Sequence, residues 1–184
     1  MGIAERKGRE RAEREHRIVA SARSIAEAEG WNAVTIRRLA EEVEYSQPVL
    51  YSHFENRDAI VAAVAIEGFG EIASALQQAA RGPTALRDAA MAYLAFAREH
   101  PAVYEAMFAM RTNLQFAEAD TRSELKEAFA ALAAVVPSSR SDVEVATETF
   151  WAGLHGLAEL ERAGRIRPSA REERIALLCR LFED

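Results

Sequence analysis

Long stretches composed of Ala, Leu, Glu, Arg and Met run along the chain, and glycine or proline interrupts them at intervals of helix length. These residue types have the highest helix propensities. No stretch alternates apolar and polar residues over the length of a strand, as a half-buried β-strand does. The sequence therefore predicts an all-α protein of about nine helices, at residues 8 (or earlier)–29, 35–43, 46–54, 57–80, 84–99, 101–112, 121–135, 142–163 and 169–183.

Composition excludes several classes of protein. The chain has 184 residues, of which 49% are apolar, and this is far from the composition of disordered proteins. A single cysteine, Cys179, excludes an internal disulfide framework and a cysteine-based zinc cluster. No apolar run reaches the roughly 18–20 residues that span a membrane, and the charged N-terminus lacks the apolar region of a signal peptide. We therefore expect a cytoplasmic protein with no membrane partner.

Catalytic motifs are missing from the sequence. The four histidines are scattered, and the chain contains no HExxH motif, phosphate-binding loop or nucleophile elbow. Gly68-Phe69-Gly70 lacks the third glycine and the preceding strand of a dinucleotide-binding fingerprint. We therefore expect no enzymatic activity, no metal and no cofactor.

Two short helices near the start, 35–43 and 46–54, are joined by a tight turn at Glu44-Tyr45-Ser46. Helices of about eight residues are unstable alone, so helix 1 and the start of helix 4 must cover them. This is the arrangement of a helix-turn-helix, whose second helix lies in the major groove of DNA. The same spacing also fits a small helical bundle without a nucleic-acid partner.

The second short helix has an apolar inner face and a polar outer face. Leu50 and Phe54 are four residues apart and point towards the core. The outer face carries amide, hydroxyl and imidazole groups that suit base edges and phosphates. Its members are Gln47, Val49, Tyr51, Ser52 and His53. The alternative interpretations are core packing for Tyr51 and a plain surface position for His53.

The residues around this unit resemble the DNA-binding domain of the TetR family of transcriptional regulators. The resemblance covers about residues 15–62 and rests on Gly30-Trp31, Thr35-Ile36-Arg37-Arg38-Leu39-Ala40, Ser46-Gln47-Pro48-Val49-Leu50-Tyr51-Ser52-His53-Phe54 and Asn56-Arg57. Three positions depart from the family pattern: Val43 replaces alanine, Glu44 replaces glycine and Arg57 replaces lysine. If the turn needs a positive φ at Glu44, the side chain costs about 1 kcal/mol.

The resemblance implies contacts with double-stranded operator DNA. It gives base or groove contacts to Gln47, Val49 and Tyr51, and phosphate contacts to Thr35, Ser46, Tyr51, His53 and Arg57. A phosphate at the helix N-terminus after Thr35 is also favoured by the helix dipole. Arg37 and Arg38, on the outer face of helix 2, reach towards the DNA backbone or base edges. The predicted DNA-binding set is Thr35, Arg37, Arg38, Ser46, Gln47, Pro48, Val49, Tyr51, Ser52, His53 and Arg57.

The net charge of −6 disfavours binding to DNA only if the acidic side chains lie near the DNA-binding residues. Residues 1–58 carry 10 basic and 11 acidic side chains, a net −1, so most of the excess acid lies later in the chain. The basic side chains before Ile18 alternate with glutamates. Glu10–Arg14 and Glu13–Arg17 fit the i, i+4 pairs of a solvated helix, and an arm that reaches DNA is the other interpretation.

Aromatic and methionine side chains concentrate between Met91 and Phe116 at helical spacing. Such clusters form plain core or line adaptable apolar pockets. Arg111 beside the cluster either pairs with an anionic ligand or lies at the rim. The segment from Phe150 to Glu161 is similar to the C-terminal domain of the WHG type of TetR regulator, and the segment from Glu99 to Phe108 is similar to the start of a helix in that domain. The predicted pocket consists of Met91, Tyr104, Met107, Phe108, Arg111, Trp151 and His155, with a buried structural role as the alternative for His155.

The last two helices carry apolar stripes, and we expect that one protomer does not cover both. The stripes consist of Leu154, Leu157 and Leu160, and of Ile175, Leu178, Leu181 and Phe182. In the family that the chain resembles, these helices form a four-helix bundle with their twofold mates. The predicted dimer interface consists of Gly153, Gly156, Leu160, Ile175, Leu178 and Phe182.

The sequence thus predicts a helix-turn-helix domain at residues 1–60 and a helical effector-binding and dimerisation domain at residues 61–184. The expected function is that of a homodimeric repressor released from its operator by a small-molecule effector. The alternative is a helical ligand-binding or scaffold protein that has lost specific DNA binding.

Overall fold

The computed structural model describes residues 2–110, 112, 114, 121–137 and 142–183. Within these residues the chain forms nine α-helices and no strand, which confirms the all-α prediction. The helices are α1 (Ile3–Glu29), α2 (Ile36–Glu42), α3 (Gln47–His53), α4 (Arg57–Ala79), α5 (Ala85–Glu99), α6 (Pro101–Phe108), α7 (Ser123–Ala133), α8 (Val143–Arg162) and α9 (Arg171–Glu183). Short 3-10 turns at Trp31–Ala33 and Pro168–Ala170 precede α2 and α9.

Helix boundaries follow the capping residues. The Thr35 hydroxyl accepts a hydrogen bond from the Arg38 amide at 3.2 Å, and Asn56 Oδ1 accepts one from the Ala59 amide at 2.9 Å. Gly30 ends α1 with a φ of 82°, a value that glycine adopts without strain. The predicted end of α6 at residue 112 is wrong. The amides of Ala109 and Met110 both bond to the Glu105 carbonyl, and this bifurcated turn closes the helix at Phe108.

Contacts divide the chain into two units. Unit 1 comprises Met1–Gly68 and His100–Leu114, and unit 2 comprises Phe69–Glu99 and Gln115–Asp184. The division falls within α4, after Gly68. The predicted domain boundary between residues 60 and 61 stays a prediction.

Unit 1 includes α6 because α1 binds the start of that helix. The Glu27 carboxylate accepts hydrogen bonds from the amides of Ala102 and Val103, at 3.1 and 3.2 Å. Trp31 Nε1 donates to the Ala102 carbonyl at 2.8 Å. The first amides of a helix lack intrahelical partners, and a carboxylate there also stabilises the helix dipole. Glu27 therefore caps α6 from a distant part of the sequence.

Helix α4 is long and apolar, and its length and composition alone would suit a membrane span. Of its most apolar 18-residue window, 56% is buried inside the protein, as expected of a core helix. Ile60, Val61 and Val64 are buried in unit 1, and Ile72 and Leu76 are buried in unit 2.

Unit 2 has a core between α8 and α9. The rings of Phe150 and Phe182 meet edge to face with their centroids 5.1 Å apart. Gly153 lies against Leu178, and a Cβ built at Gly153 would be 2.8 Å from Leu178 Cδ1. A close approach of two helices thus explains this glycine, which was predicted for the dimer interface, and the neighbouring helix is α9 of the same protomer.

A triad of charged side chains joins the end of α8 to the start of α9. Glu161 accepts hydrogen bonds from Arg171 Nε at 2.9 Å and from Arg174 Nη2 at 3.1 Å, and its side chain is 15% exposed. Burial raises the pKa of Glu161, but the hydrogen bonds and charges of the two guanidinium groups outweigh it. The pKa of Glu161 therefore lies below its ordinary value.

This lowered pKa predicts an acid-sensitive contribution to stability. A carboxylate whose folded pKa is depressed contributes fully above its unfolded pKa of about 4.3, and the contribution is lost as pH falls through the folded pKa. We expect Glu161→Gln to lower the free energy of unfolding at pH 7 by about 1–2 kcal/mol. The loss should shrink towards pH 3, as followed by urea denaturation at several pH values.

Glu172→Gln is the matched control, because Glu172 has 76% of its side chain exposed and lies 3.7 Å from Arg87. Such an exposed pair contributes about 0–1 kcal/mol. An equal pH dependence in both variants would contradict the role of the triad.

Candidate nucleic-acid interface

The turn between α2 and α3 has the geometry of a Schellman motif. The Tyr45 amide donates to the Ala40 carbonyl at 2.9 Å, and the Glu44 amide donates to the Glu41 carbonyl at 3.3 Å. Glu44, the first residue after the C-cap of α2, has a φ of 57°, in the left-handed region that favours glycine. The turn therefore does need a positive φ here, and Glu44 costs about 1 kcal/mol relative to glycine.

Helix α3 presents an apolar face inward and a polar face outward. Leu50 is fully buried, whereas Tyr51 is 53% exposed, so the alternative interpretation of Tyr51 as a core residue is wrong. The Ser52 hydroxyl donates to the Val49 carbonyl at 2.7 Å. Val49 is half-buried, and the exposed predicted contacts at this face are Ser46, Gln47, Pro48, Tyr51 and Ser52.

His53 points towards α1. Its side chain is only 5% exposed, and its Nδ1 lies 3.2 Å from Glu15 Oε1. The alternative interpretation of His53 as a plain surface histidine is therefore wrong. The His53 ring thus joins the end of α3 to α1. The phosphate contact predicted for His53 stays a prediction.

Arg57 supports the loop between α1 and α2. Its Nε donates to the Val34 carbonyl at 2.8 Å and its Nη2 donates to the Trp31 carbonyl at 2.5 Å. The Trp31 carbonyl also accepts the Val34 amide, so the guanidinium takes the second lone pair of that oxygen. No local pattern in the sequence indicates this role, because the partners lie 23 and 26 residues away. The predicted phosphate contact of Arg57 stays a prediction.

The two arginines of α2 differ in their ion pairs and in their exposure to solvent. Arg38 forms a bidentate pair with Glu29, and this hydrogen bonding lowers the pKa of Glu29. Arg37 Nε lies 3.1 Å from Glu41 Oε1, and 79% of the Arg37 side chain is exposed. Arg37 is thus the more available cation beside Thr35, whose hydroxyl caps the same helix.

The residues predicted to line a ligand pocket are divided between the two units. In unit 1, Tyr104 and Met107 are buried, and the ring of Tyr104 lies 4.8 Å from that of Phe108. Arg111 lies outside the described residues. The other predicted members, Met91, Trp151 and His155, belong to unit 2. The prediction of one shared pocket stays a prediction.

In unit 2, two of the predicted pocket residues, Trp151 and His155, carry polar groups on half-buried side chains. Trp151 Nε1 donates to the hydroxyl of the buried Tyr93 at 3.0 Å. Burial lowers the pKa of the half-buried His155 imidazole, while Glu159 opposes this shift and Arg162 adds to it. The pKa of His155 therefore lies below its ordinary value, which favours the neutral imidazole.

The residues predicted for a dimer interface fall into three groups. Gly153 and Leu178, the first group, pack against each other within unit 2. Ile175 and Phe182 are buried inside unit 2, so they are core residues of the protomer and the interface role predicted for them is corrected. Gly156 has open space around the position of a Cβ, and Leu160 is 44% exposed. Leu177, which the sequence reasoning missed, and Leu181, which it placed on the apolar stripe of the last helix, are 54% and 64% exposed.

Family models match both parts of the chain. A model described as "Bacterial regulatory proteins, tetR family" matches residues 18–64, and one described as "Tetracyclin repressor-like, C-terminal domain" matches residues 86–182. An HTH-type transcriptional regulator of Mycobacterium tuberculosis is 31% identical over 154 residues, which cover 80% of this chain and 69% of that protein. An HTH-type transcriptional regulator of Bacillus subtilis is 36% identical over 93 residues, 48% of each chain.

Solved structures share the fold. A protein from a Rhodococcus species superposes with a TM-score of 0.73 at 23% identity, covering 91% of this chain and 92% of that one. A TetR family transcriptional regulator from Thermus thermophilus superposes with a TM-score of 0.57 at 18% identity, covering 90% and 97%.

Proposed function

The chain belongs to the TetR family of transcriptional regulators, and from this premise we propose that it is a homodimeric repressor released from operator DNA by a small-molecule effector. The observation that carries the DNA-binding part is the outward polar face of α3. Leu50 anchors the helix in the core while Tyr51, one residue on, is 53% exposed. A regulator of this kind acts on DNA in the cytoplasm and needs no catalytic group.

We assign the DNA contacts by exposure. We propose that Gln47 and Tyr51 contact base edges, because both are exposed on α3 and the amide of Gln47 suits adenine in the major groove. We propose phosphate contacts for Ser46, Thr35 and Arg37, which are exposed at the starts of α3 and α2. His53 and Arg57 act by holding α3 and the loop before α2 in position.

Selection of duplexes from a random pool by the purified protein tests this function directly. We expect a twofold-symmetric site whose half-sites are about 34–36 Å apart, and binding that weakens as salt rises. Equal affinity for every duplex, or no binding at low salt, would instead support a helical ligand-binding or scaffold protein without specific DNA recognition.

Tyr51→Ala is expected to weaken binding to the selected operator without unfolding the protein. Loss of a good base contact costs about 1–3 kcal/mol, which is roughly fivefold to 150-fold in affinity. Fluorescence anisotropy gives the affinity, and a melting temperature close to wild type serves as the folding control. Tyr51→Phe separates the hydroxyl from the ring. Unchanged affinity for Tyr51→Ala would remove this residue from the site.

Effector binding is proposed for unit 2, where the half-buried Trp151 and His155 offer an aromatic surface beside an imidazole whose pKa is lowered by burial. An effector shifts the equilibrium only by its differential affinity for the DNA-binding and released conformations. Native mass spectrometry of the purified protein identifies co-purified small molecules. Such a molecule should release the operator in the anisotropy assay, and Trp151→Ala should weaken that response while preserving DNA affinity.

Dimerisation is proposed through the exposed apolar side chains of α8 and α9. Leu160, Leu177 and Leu181 supply the apolar surface, and Gly156 leaves room for a close helix from a second copy. A twofold interface uses the same patch on both protomers, as a twofold operator requires.

A further inference from the structure

One stripe of α1 changes character along its length. Residues at spacings of four and three share a helix face, and such a series runs through the whole helix. Its later members, Ile18, Ala22 and Ile25, are buried in unit 1 with 0%, 0% and 6% exposure. Its earlier members, Lys7, Arg11 and Arg14, are basic and exposed. The face that packs inside the protein thus continues outside it as a row of cations, called here the basic stripe.

The charges of the first turns of α1 are segregated around the helix. At about 100° per residue, the third of the helix surface centred on the basic stripe carries Lys7, Arg11 and Arg14 and no acidic side chain up to residue 17. The rest of the surface of this segment carries three basic and four acidic side chains. The net charge of the segment, only +2, therefore hides a face with three cations, of which Arg11 is paired with Glu15, and a remainder of −1.

Contacts place the basic stripe beside the recognition helix. Arg11 Nη2 donates to the carbonyl of Ser52, in the last turn of α3, at 3.3 Å, while its Nε bonds to Glu15. Outside the basic stripe, Arg17, nearly two turns beyond Arg11 along α1, donates from Nη1 to the Tyr45 hydroxyl at 3.1 Å, in the turn before α3, and its guanidinium lies over the Tyr45 ring. The basic stripe therefore lies beside the C-terminal end of α3, the helix that we propose to enter the major groove.

We propose that Lys7 and Arg14 bind DNA phosphates that flank each half-site. The stripe from Lys7 to Arg14 is about 10 Å long, at roughly 1.5 Å per residue. A DNA strand presents one charge about every 3.4 Å along the helix axis, so about three phosphates fall within this length. Arg11 positions the stripe through its bond to α3. This proposal rests on the proposed function and adds to it a contact surface outside the helix-turn-helix.

Paired charge removals on the two faces of α1 test the proposal. Lys7→Gln/Arg14→Gln removes two cations from the basic stripe, and the matched control Arg6→Gln/Arg9→Gln removes two from the remaining surface of the helix. Operator affinity is measured by anisotropy over a salt series, with a selected duplex extended by several base pairs beyond each half-site. All four side chains are exposed, so circular dichroism should show the same helix content in both variants.

We expect the stripe variant to lower the slope of log affinity against log salt by roughly 0.9 for each lost contact, up to about 3.6 per dimer. Its affinity near physiological salt should fall at least tenfold, against less than threefold for the control. On a duplex trimmed to the half-sites, wild type and stripe variant should differ little. Equal effects of the two pairs would overturn the proposal while leaving the proposed function intact. Failure of the wild-type protein to select any duplex would overturn both.

Discussion

Leu177→Glu/Leu181→Glu is expected to convert the protein into a monomer and to reduce its operator affinity to that of non-specific DNA binding. The two leucines are four residues apart on α9, so they share a face, and they are 54% and 64% exposed. In a twofold dimer the double substitution places four carboxylates in one apolar interface. An unpaired charge buried in an interface costs about 3–5 kcal/mol. The dissociation constant of the dimer should therefore rise by well over a hundredfold.

The loss of DNA binding follows from the loss of the second half-site. A monomer contacts one half-site, and its affinity for DNA approaches that of non-specific binding, with Kd of about 10⁻⁴–10⁻⁶ M. Sedimentation velocity gives the oligomeric state, and anisotropy gives the affinity for the selected operator.

Gln77→Glu/Gln78→Glu is the charge-matched control, since it adds the same two carboxylates at exposed positions of α4 in unit 2. This control should remain dimeric. A leucine variant that sediments like the wild type would show that α9 does not form the interface.

Apolar periodicity found the helices of this chain, but it could not tell which of two apolar stripes on α9 faces inward. Ile175, Leu178 and Phe182 form one stripe, and Leu177 and Leu181 form another beside it. The first is the core stripe because α8 places Phe150 and Gly153 against Phe182 and Leu178. The position of α8 is a tertiary fact, and α9 alone contains no signal for it.

The outward face of α3 was predictable because it needs only local information. Leu50 fixes which side of a short helix is inward, and the neighbouring positions follow from the helix period. The partners of His53 and Arg57 were not predictable in this way. Glu15 is 38 residues from His53, and the carbonyls that bind Arg57 come together only when the loop at Trp31 folds.

The strained turn at Glu44 was only partly predictable from local sequence. The residue type departs from the expected glycine, and the Schellman hydrogen bonds hold it at a φ of 57° all the same. Packing of Leu39, Ala40, Val43 and Leu50 in the core stabilises the motif against a local cost of about 1 kcal/mol.

Gly68→Ala is expected to destabilise unit 1, although alanine is the better helix former. Gly68 lies within α4 where that helix meets α6 of the same unit, and a Cβ there would be 2.4 Å from Val103 Cγ1 and 2.8 Å from Met107 Sδ. Val103 is fully buried and Met107 is 2% exposed, so neither has free space to move into. Overpacking of this kind costs about 1–3 kcal/mol.

Gly70→Ala, two residues along the same helix, is the matched control because a Cβ at Gly70 meets nothing within 4 Å. The alanine there should raise the free energy of unfolding by about 0.5–1 kcal/mol through helix propensity alone. Urea denaturation followed by circular dichroism gives both values. The two substitutions have the same intrinsic effect on helix formation, so a difference of opposite sign between them isolates the contact between α4 and α6. Equal stabilisation by both would mean that α6 does not pack against α4 at Gly68.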